Sequence, residues 1–287
     1  MRRREPSLCT CPRPGVWRNP ATPLEEDQRG LLVPVANPEA VAPLLGIAFA
    51  ASRSDEPPPR VIALVRRDKD ADDAVPSTSA LTAAIQYAQA QGVTIGAQAA
   101  WSEHPAADII MAAEDARVSW ILLGYHRNAK GGNTMGGVVR EVFSKGRSLP
   151  INVGVFIQGT DRPIERVFAA IDVTADGRAA LSLAMRIAQK KQCKLRALLV
   201  SRRMAPQPEP DLVEMARSAY SEMGSLFHSD VLTEHSLHQL LRQSPGRLLI
   251  VGKKFADEVG LPLDEVPGGD RCVIVVQGAE PAIQLEI

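Results

Sequence analysis

Leu31-Leu32-Val33-Pro34-Val35-Ala36 and Val167-Phe168-Ala169-Ala170-Ile171-Asp172 are two short, near-continuous apolar runs. Each is followed by a brief polar turn and an Ala/Leu-rich segment. Two further pairs recur in the same order. Ile121-Leu122-Leu123-Gly124 matches Leu249-Ile250-Val251-Gly252. Val153-Gly154-Val155-Phe156-Ile157-Gln158-Gly159 matches Val273-Ile274-Val275-Val276-Gln277-Gly278. Such ordered self-similarity marks a duplicated unit. Runs that are apolar at consecutive positions are those of strands buried on both faces, as in parallel sheets. Strands that alternate with helical segments build a parallel sheet covered by helices on both faces, with right-handed crossovers. The expected fold is therefore α/β, with two doubly wound five-stranded parallel-sheet domains packed as an intrachain pseudo-dimer.

Hydrophobic periodicity places the elements. In the first half it predicts strands at residues 31–36, 61–65, 93–99, 120–124 and 151–157, with helices at 38–52, 77–91, 106–117 and 135–146. In the second half it predicts strands at 167–172, 194–201, 230–232, 248–252 and 272–277. Helices are expected there at 176–191, 211–227 and 234–243, with a turn near 255–259. Residues 1–28, rich in Pro and Arg and without periodicity, read as a disordered leader. The first domain spans residues 29–159 and the second, more degenerate one spans 163–279. The join, Thr160-Asp161-Arg162-Pro163, is too short for a loose tether.

The chain has 287 residues, enough for two cores. Apolar residues make up 45% and aromatics only 4%, so the cores must be aliphatic. Lys+Arg and Asp+Glu both count 33. A neutral chain exerts no overall pull on nucleic acid or anionic lipid, which argues against both as partners. No apolar run approaches the ~18 residues of a membrane span. Arg2, Arg3 and Arg4 lack the apolar stretch of a secretory signal behind them. The four cysteines do not form a disulfide framework, which points to a reduced, cytoplasmic setting. Cys9 and Cys11 have no second pair, and His228, His235 and His238 have no clearly placed carboxylate or thiolate to complete a site, so no metal is assigned. Trp101 and Trp120 are expected to fill core or interface.

The residues at the strand ends resemble those of the universal stress protein family. Its domains open with a strand ending in a Pro-Val-Asp or Ala-Ile-Asp turn. This chain carries Val33-Pro34-Val35-Ala36-Asn37 and Ala169-Ala170-Ile171-Asp172-Val173. Nucleotide-binding members carry a glycine, two residues, a second glycine, nine residues, then a glycine followed by Ser or Thr. Here Gly124 and Gly137 keep that spacing, while Arg127 stands at the second glycine and Val138 at the hydroxyl residue. Leu-Val-Pro-Val-Ala-Asn-Pro-Glu from Leu32, and Leu-Leu-Gly-Tyr-His-Arg followed by Gly-Gly-Val-Val, are similar to the paired stress domains on cytoplasmic tails of bacterial cation/proton antiporters. The resemblance implies a HUP/Rossmann-like fold and a role in stress response or ion homeostasis. It also implies an adenine nucleotide such as ATP as ligand, and a membrane transporter or other protein as partner, with self-association open.

The candidate nucleotide residues follow from this. Open α/β sheets bind ligands at the carboxyl ends of strands where the order reverses. Glycines let backbone N–H groups approach a phosphate, and a helix N-terminus favours an anion. In the first half these are Ala36, Asn37, Gly124, His126, Arg127, Gly136, Gly137 and Val138. In the second half it is Asp172, which stands where family members contact adenine or ribose, although a strand-end turn or cap explains that Asp equally well. The later glycine position is Glu265, so the second phosphate loop is missing. The first half thus keeps part of a loop without the acid, and the second keeps the acid without the loop. A site composed from both halves is one reading of this split. No Ser/His/Asp constellation, nucleophile elbow, Walker loop or pocket-bound carboxylate pair appears, and the expected class is a non-enzymatic regulatory protein. A nucleotide-independent protein-interaction module is the alternative.

Overall fold

The computed structural model describes residues 30–66, 79–125, 137–201, 208–232, 237–244, 248–263, 266 and 270–279. Strands β1 (Leu31–Val35), β2 (Arg60–Arg66), β3 (Gly96–Ser102), β4 (Trp120–Gly124) and β5 (Asn152–Ile157) alternate with helices α1 (Val41–Ala51), α2 (Ser79–Ala90), α3 (Pro105–Asp115) and α4 (Gly137–Gly146). The pattern then repeats. Strands β6 (Arg166–Ile171), β7 (Lys194–Val200), β8 (Phe227–Leu232), β9 (Leu248–Gly252) and β10 (Cys272–Gln277) accompany α5 (Ala175–Lys191), α6 (Pro210–Met223), α7 (Leu237–Gln243) and α8 (Lys253–Glu258).

All ten strands form one sheet, in the order β3-β2-β1-β4-β5-β10-β9-β6-β7-β8. Each half has the same doubly wound order about its own first strand. Every pairing is parallel except β5 with β10, which run antiparallel with Val155 opposite Val275. The doubly wound α/β expectation holds, and the pseudo-dimer is a continuous sheet joined edge to edge. One consequence is geometric: the carboxyl ends of the two half-sheets face opposite edges of the molecule.

Two apolar cores lie on the two faces. One is roofed by α1, α2, α5 and α6, the other by α3, α4, α7 and α8. Phe168, Ile121 and Leu198 are fully buried in the sheet. Helix α1 (VAPLLGIAFAA) has almost no polar face because it packs on the sheet and also against α5 of the other half. Polar links cross the same seam. Arg186 Nη1 lies 2.6 Å from Glu56 Oε1, whose side chain is only 2% exposed. Gln277 Nε2 donates to Phe143 O at 2.8 Å, and Ala279 N–H to Asn152 Oδ1 at 2.9 Å.

Several element bounds differ from expectation for local reasons. The helix expected from residue 38 is a 3-10 turn, Pro38–Ala40, followed by α1. Pro43 has no N–H to give to Glu39, so an α-helical ladder cannot run from Pro38. β3 begins at Gly96 rather than at 93. Val93 N–H returns to Ala88 O at 2.9 Å beside Gly92 (φ 65°), so that stretch finishes the preceding helix. β8 starts at Phe227, its polar Phe227-His228-Ser229-Asp230 face having hidden a strand at the sheet edge. Residues 253–258 form a helix rather than a turn. Trp120 is buried as expected, but Trp101 is 40% exposed on the edge strand. Among the described residues no helix is long and apolar enough to cross a membrane.

Candidate functional site

In each half the strand order reverses between the first and fourth strands, and their following helices leave to opposite faces of the sheet. In the first half that crevice lies between β1 and β4. The register Leu31 with Trp120 and Leu32 with Ile121 brings the two strands to the same level at Val35 and Gly124. Ala36 follows directly and is exposed, and Asn37 is half-buried. The Asn37 side chain accepts the Glu39 N–H at 3.1 Å, which caps the 3-10 turn. Gly124 is half-buried. Tyr125, buried, donates its N–H to Phe156 O at 2.8 Å and pins the departing chain to the end of β5.

Gly137 opens α4, and a side chain built on it would meet no described residue within 4 Å. Val138 beside it is 37% exposed. The first amides of a helix have no intrahelical acceptor, which makes those at the start of α4 the natural donors for an anion. His126, Arg127 and Gly136 lie outside the described residues, as do Asn133 and Thr134. The structure thus brings Ala36, Asn37 and Gly124 to one end of two adjacent strands, with Gly137 and Val138 opening the helix after β4.

The same crevice in the second half, between β6 and β9, is filled. Asp172 Oδ1 accepts the Thr174 N–H at 3.0 Å and also the Thr174 hydroxyl. Thr174 in turn caps α5 by accepting the Gly177 N–H at 3.3 Å. Asp172 is therefore held in a strand-end turn. β9 passes into α8 with no residue between them, Gly252 itself being the cap. Into this end of the sheet the first turn of α5 inserts Asp176. Its Oδ2 accepts the Lys254 N–H at 3.0 Å and its Oδ1 the Gly278 N–H at 2.9 Å. The carboxylate thus occupies amides at the ends of both β9 and β10. The fit is tight: a Cβ at Gly278 would fall 2.1 Å from Ala175 O, and one at Gly252 would fall 2.9 Å from Asp176 Cβ.

Asp176 escaped the sequence reading. Its signal was the run Thr174-Ala175-Asp176-Gly177, a cap followed by an acid and a glycine in the first helical turn. A site composed from both halves is excluded by the sheet. Gly124 and Asp172 lie at opposite ends of strands four places apart, roughly 25 Å from one another at ~4.8 Å per strand and ~3.3 Å per residue. Of the histidines, His228 lies on β8 and His238 on α7, while His235 lies outside the described residues.

A groove of about 1090 Å³ lies elsewhere, between α5, α6 and the turn after α1. It is lined by charges of both signs, among them Arg53, Asp55, Arg178, Lys190 and Glu222. Arg53 hydrogen-bonds Asp55 and holds its carboxyl below the ordinary 3.8. Neither switch-point crevice opens into this groove, and its mixed lining does not define a ligand.

No protein-family model matches the chain, and no curated protein matches it. Solved structures do. A universal stress protein from Archaeoglobus fulgidus DSM 4304 is 18% identical with a TM-score of 0.55, covering 88% of this chain and 98% of that one. The cytoplasmic domain of a prokaryotic cation chloride cotransporter is 16% identical with a TM-score of 0.56, covering 90% and 99%. A putative universal stress protein from Pseudomonas aeruginosa UCBPP-PA14 is 16% identical with a TM-score of 0.51, covering 88% and 94%. At such identities the likeness establishes the fold alone. The chain has the universal-stress-protein type of α/β fold.

Proposed function

We propose that the chain is a non-enzymatic regulatory protein that binds one small anionic ligand, an adenine nucleotide such as ATP, in the first-half crevice. The observation that carries this is the asymmetry between equivalent strand ends. Between β1 and β4 the crevice is bordered by exposed Ala36 and by Gly137, beside which no described residue would meet a side chain. Between β6 and β9 the crevice is filled by Asp176. Backbone amides at a helix start and a sheet end favour an anion. In the second half a carboxylate already answers them.

A transporter as partner is the second element of the proposal. Its support is the fold shared with the cytoplasmic domain of a cation chloride cotransporter, together with the likeness of the Leu32–Glu39 segment to antiporter tails. Ligand occupancy of the first half would then bias docking and so link the protein to ion homeostasis.

Thermal unfolding with ATP, ADP, AMP and cyclic dinucleotides at millimolar concentration tests the ligand. Binding to the folded state alone stabilises by about 2.7 kcal/mol at a hundredfold excess over Kd. The expected result is a raised midpoint that Gly137→Trp abolishes without lowering the ligand-free midpoint. No shift with any nucleotide refutes the ligand reading and leaves a nucleotide-independent interaction module.

A further inference from the structure

Strand β3 closes one edge of the sheet, and no described strand pairs with its outer side. Its sequence, Gly-Ala-Gln-Ala-Ala-Trp-Ser, carries no charge and no proline over seven residues. Sheet edges are ordinarily blunted by charges, prolines or short length, because an open row of N–H and C=O groups templates pairing with another chain. The opposite edge, β8, follows that rule. It carries exposed His228 and the Asp230 carboxylate, which binds Arg196 of β7.

The hydrogen-bond phase of β3 can be read directly. Gly96 N–H points inward and donates to Pro59 O at 2.9 Å. In a parallel ladder both polar groups of a residue face the same neighbour, and alternate residues face alternate sides. Gly96, Gln98, Ala100 and Ser102 therefore face β2, while Ala97, Ala99 and Trp101 turn their N–H and C=O groups outward. This outward set is symmetric about Ala99. A two-fold axis through Ala99 sets Ala97 opposite Trp101 of a second copy and Ala99 opposite its own counterpart, so every outward N–H and C=O of the two strands is matched.

The side chains agree with that register. Ala99 packs on the core beneath α1 and α2, so by alternation Ala97 and Trp101 share its face. Across the axis the exposed indole of Trp101, 40% accessible in the single chain, lies over the small Ala97 of the other copy. With no charge on the strand, the two-fold brings no like charges together. A two-fold pairing of identical edges is also the commonest way for a protein to close on itself. It would extend the edge-to-edge antiparallel joint that already unites β5 and β10.

We infer that two copies of this chain associate through antiparallel pairing of β3 with β3 about Ala99, with Trp101 packed over Ala97 of the other copy.

Sedimentation of the full chain from about 1 to 100 µM, the range of modest affinities, tests this. Two variants accompany the wild type. Ala99→Pro removes the central outward N–H at a position where an edge strand accommodates proline. Trp101→Lys adds an edge charge and leaves the backbone intact. The expected result is a wild-type species of twice the 30.9 kDa chain mass. Both variants should retain the wild-type circular dichroism spectrum and associate at least about tenfold more weakly. If Ala99→Pro does not fold, Trp101→Lys decides alone. A wild type of single-chain mass throughout overturns the inference and leaves the edge to a strand of another protein. A dimer that Trp101→Lys does not weaken overturns it too, and places the contact elsewhere.

Discussion

Replacing Asp176 with alanine removes one carboxylate from two backbone amides at once. The Lys254 N–H is exposed and can turn to water, so its loss costs no more than an ordinary hydrogen bond, about 1 kcal/mol. The Gly278 N–H is part-buried behind the first turn of α5, which leaves about 1.5 kcal/mol at stake. The acid also lies in the first turn of α5, where a negative charge adds roughly 0.5 kcal/mol. The whole effect is about 3 kcal/mol. At roughly 2 °C or more per kcal/mol for a chain of this size, the midpoint should fall by about 6 °C. Differential scanning calorimetry of Asp176→Ala reads this directly. Asp211→Ala is the control, since Asp211 lies in the first turn of α6 and is exposed. Its loss should cost no more than about 1 kcal/mol. If Asp176→Ala and Asp211→Ala melt within about 1 °C of one another, the carboxylate does not hold the second-half crevice closed, and the argument for a single ligand site falls with it.

Two further outcomes follow from the seam and the core. Glu56→Ala strands Arg186, and Arg186→Ala strands a carboxylate that is 2% exposed. Each single change should cost about 3 kcal/mol, while the double change to Ala at both sites should cost well below the sum, as a double-mutant cycle in urea would record. Additive losses would show that the pair is not coupled. Burial raises the Cys193 thiol above the ordinary 9.0. Its contribution to stability is therefore complete below the unfolded-state value and fades as pH rises from there through the folded-state value. Thermal midpoints between pH 7 and 10 should decline more steeply in the wild type than in Cys193→Ala, and parallel declines would refute that assignment.

The fold was legible because its signals are redundant. Continuous apolar runs of strand length such as Leu248–Gly252, alternating with longer helical segments, read as strands buried on both faces, and their repeated order sets two similar halves. What stayed hidden depends on long-range geometry. Nothing local in Val153–Ile157 or Val273–Gln277 says that these strands meet antiparallel, yet that pairing decides where both crevices point. Trp101, read as a core or interface residue because its type is apolar, is 40% exposed because its strand has one described neighbour. The first-half positions Ala36, Asn37, Gly124 and Gly137 were read from glycine spacing and strand ends, and they lie at the ends of β1 and β4 and at the start of α4. Asp176 was not legible. Its partners, Lys254 and Gly278, lie 78 and 102 residues away, so the contact exists only once the sheet is assembled.

The antiparallel joint at β5 and β10 gives the molecule two unlike poles. At one pole stand exposed Ala36 and the glycine start of α4; at the other an internal acid already holds two backbone amides. Two parallel half-sheets would have put both on the same side. Turned end for end, the two poles point away from one another, and any coupling between them would run through the shared sheet and the seam where α1 meets α5.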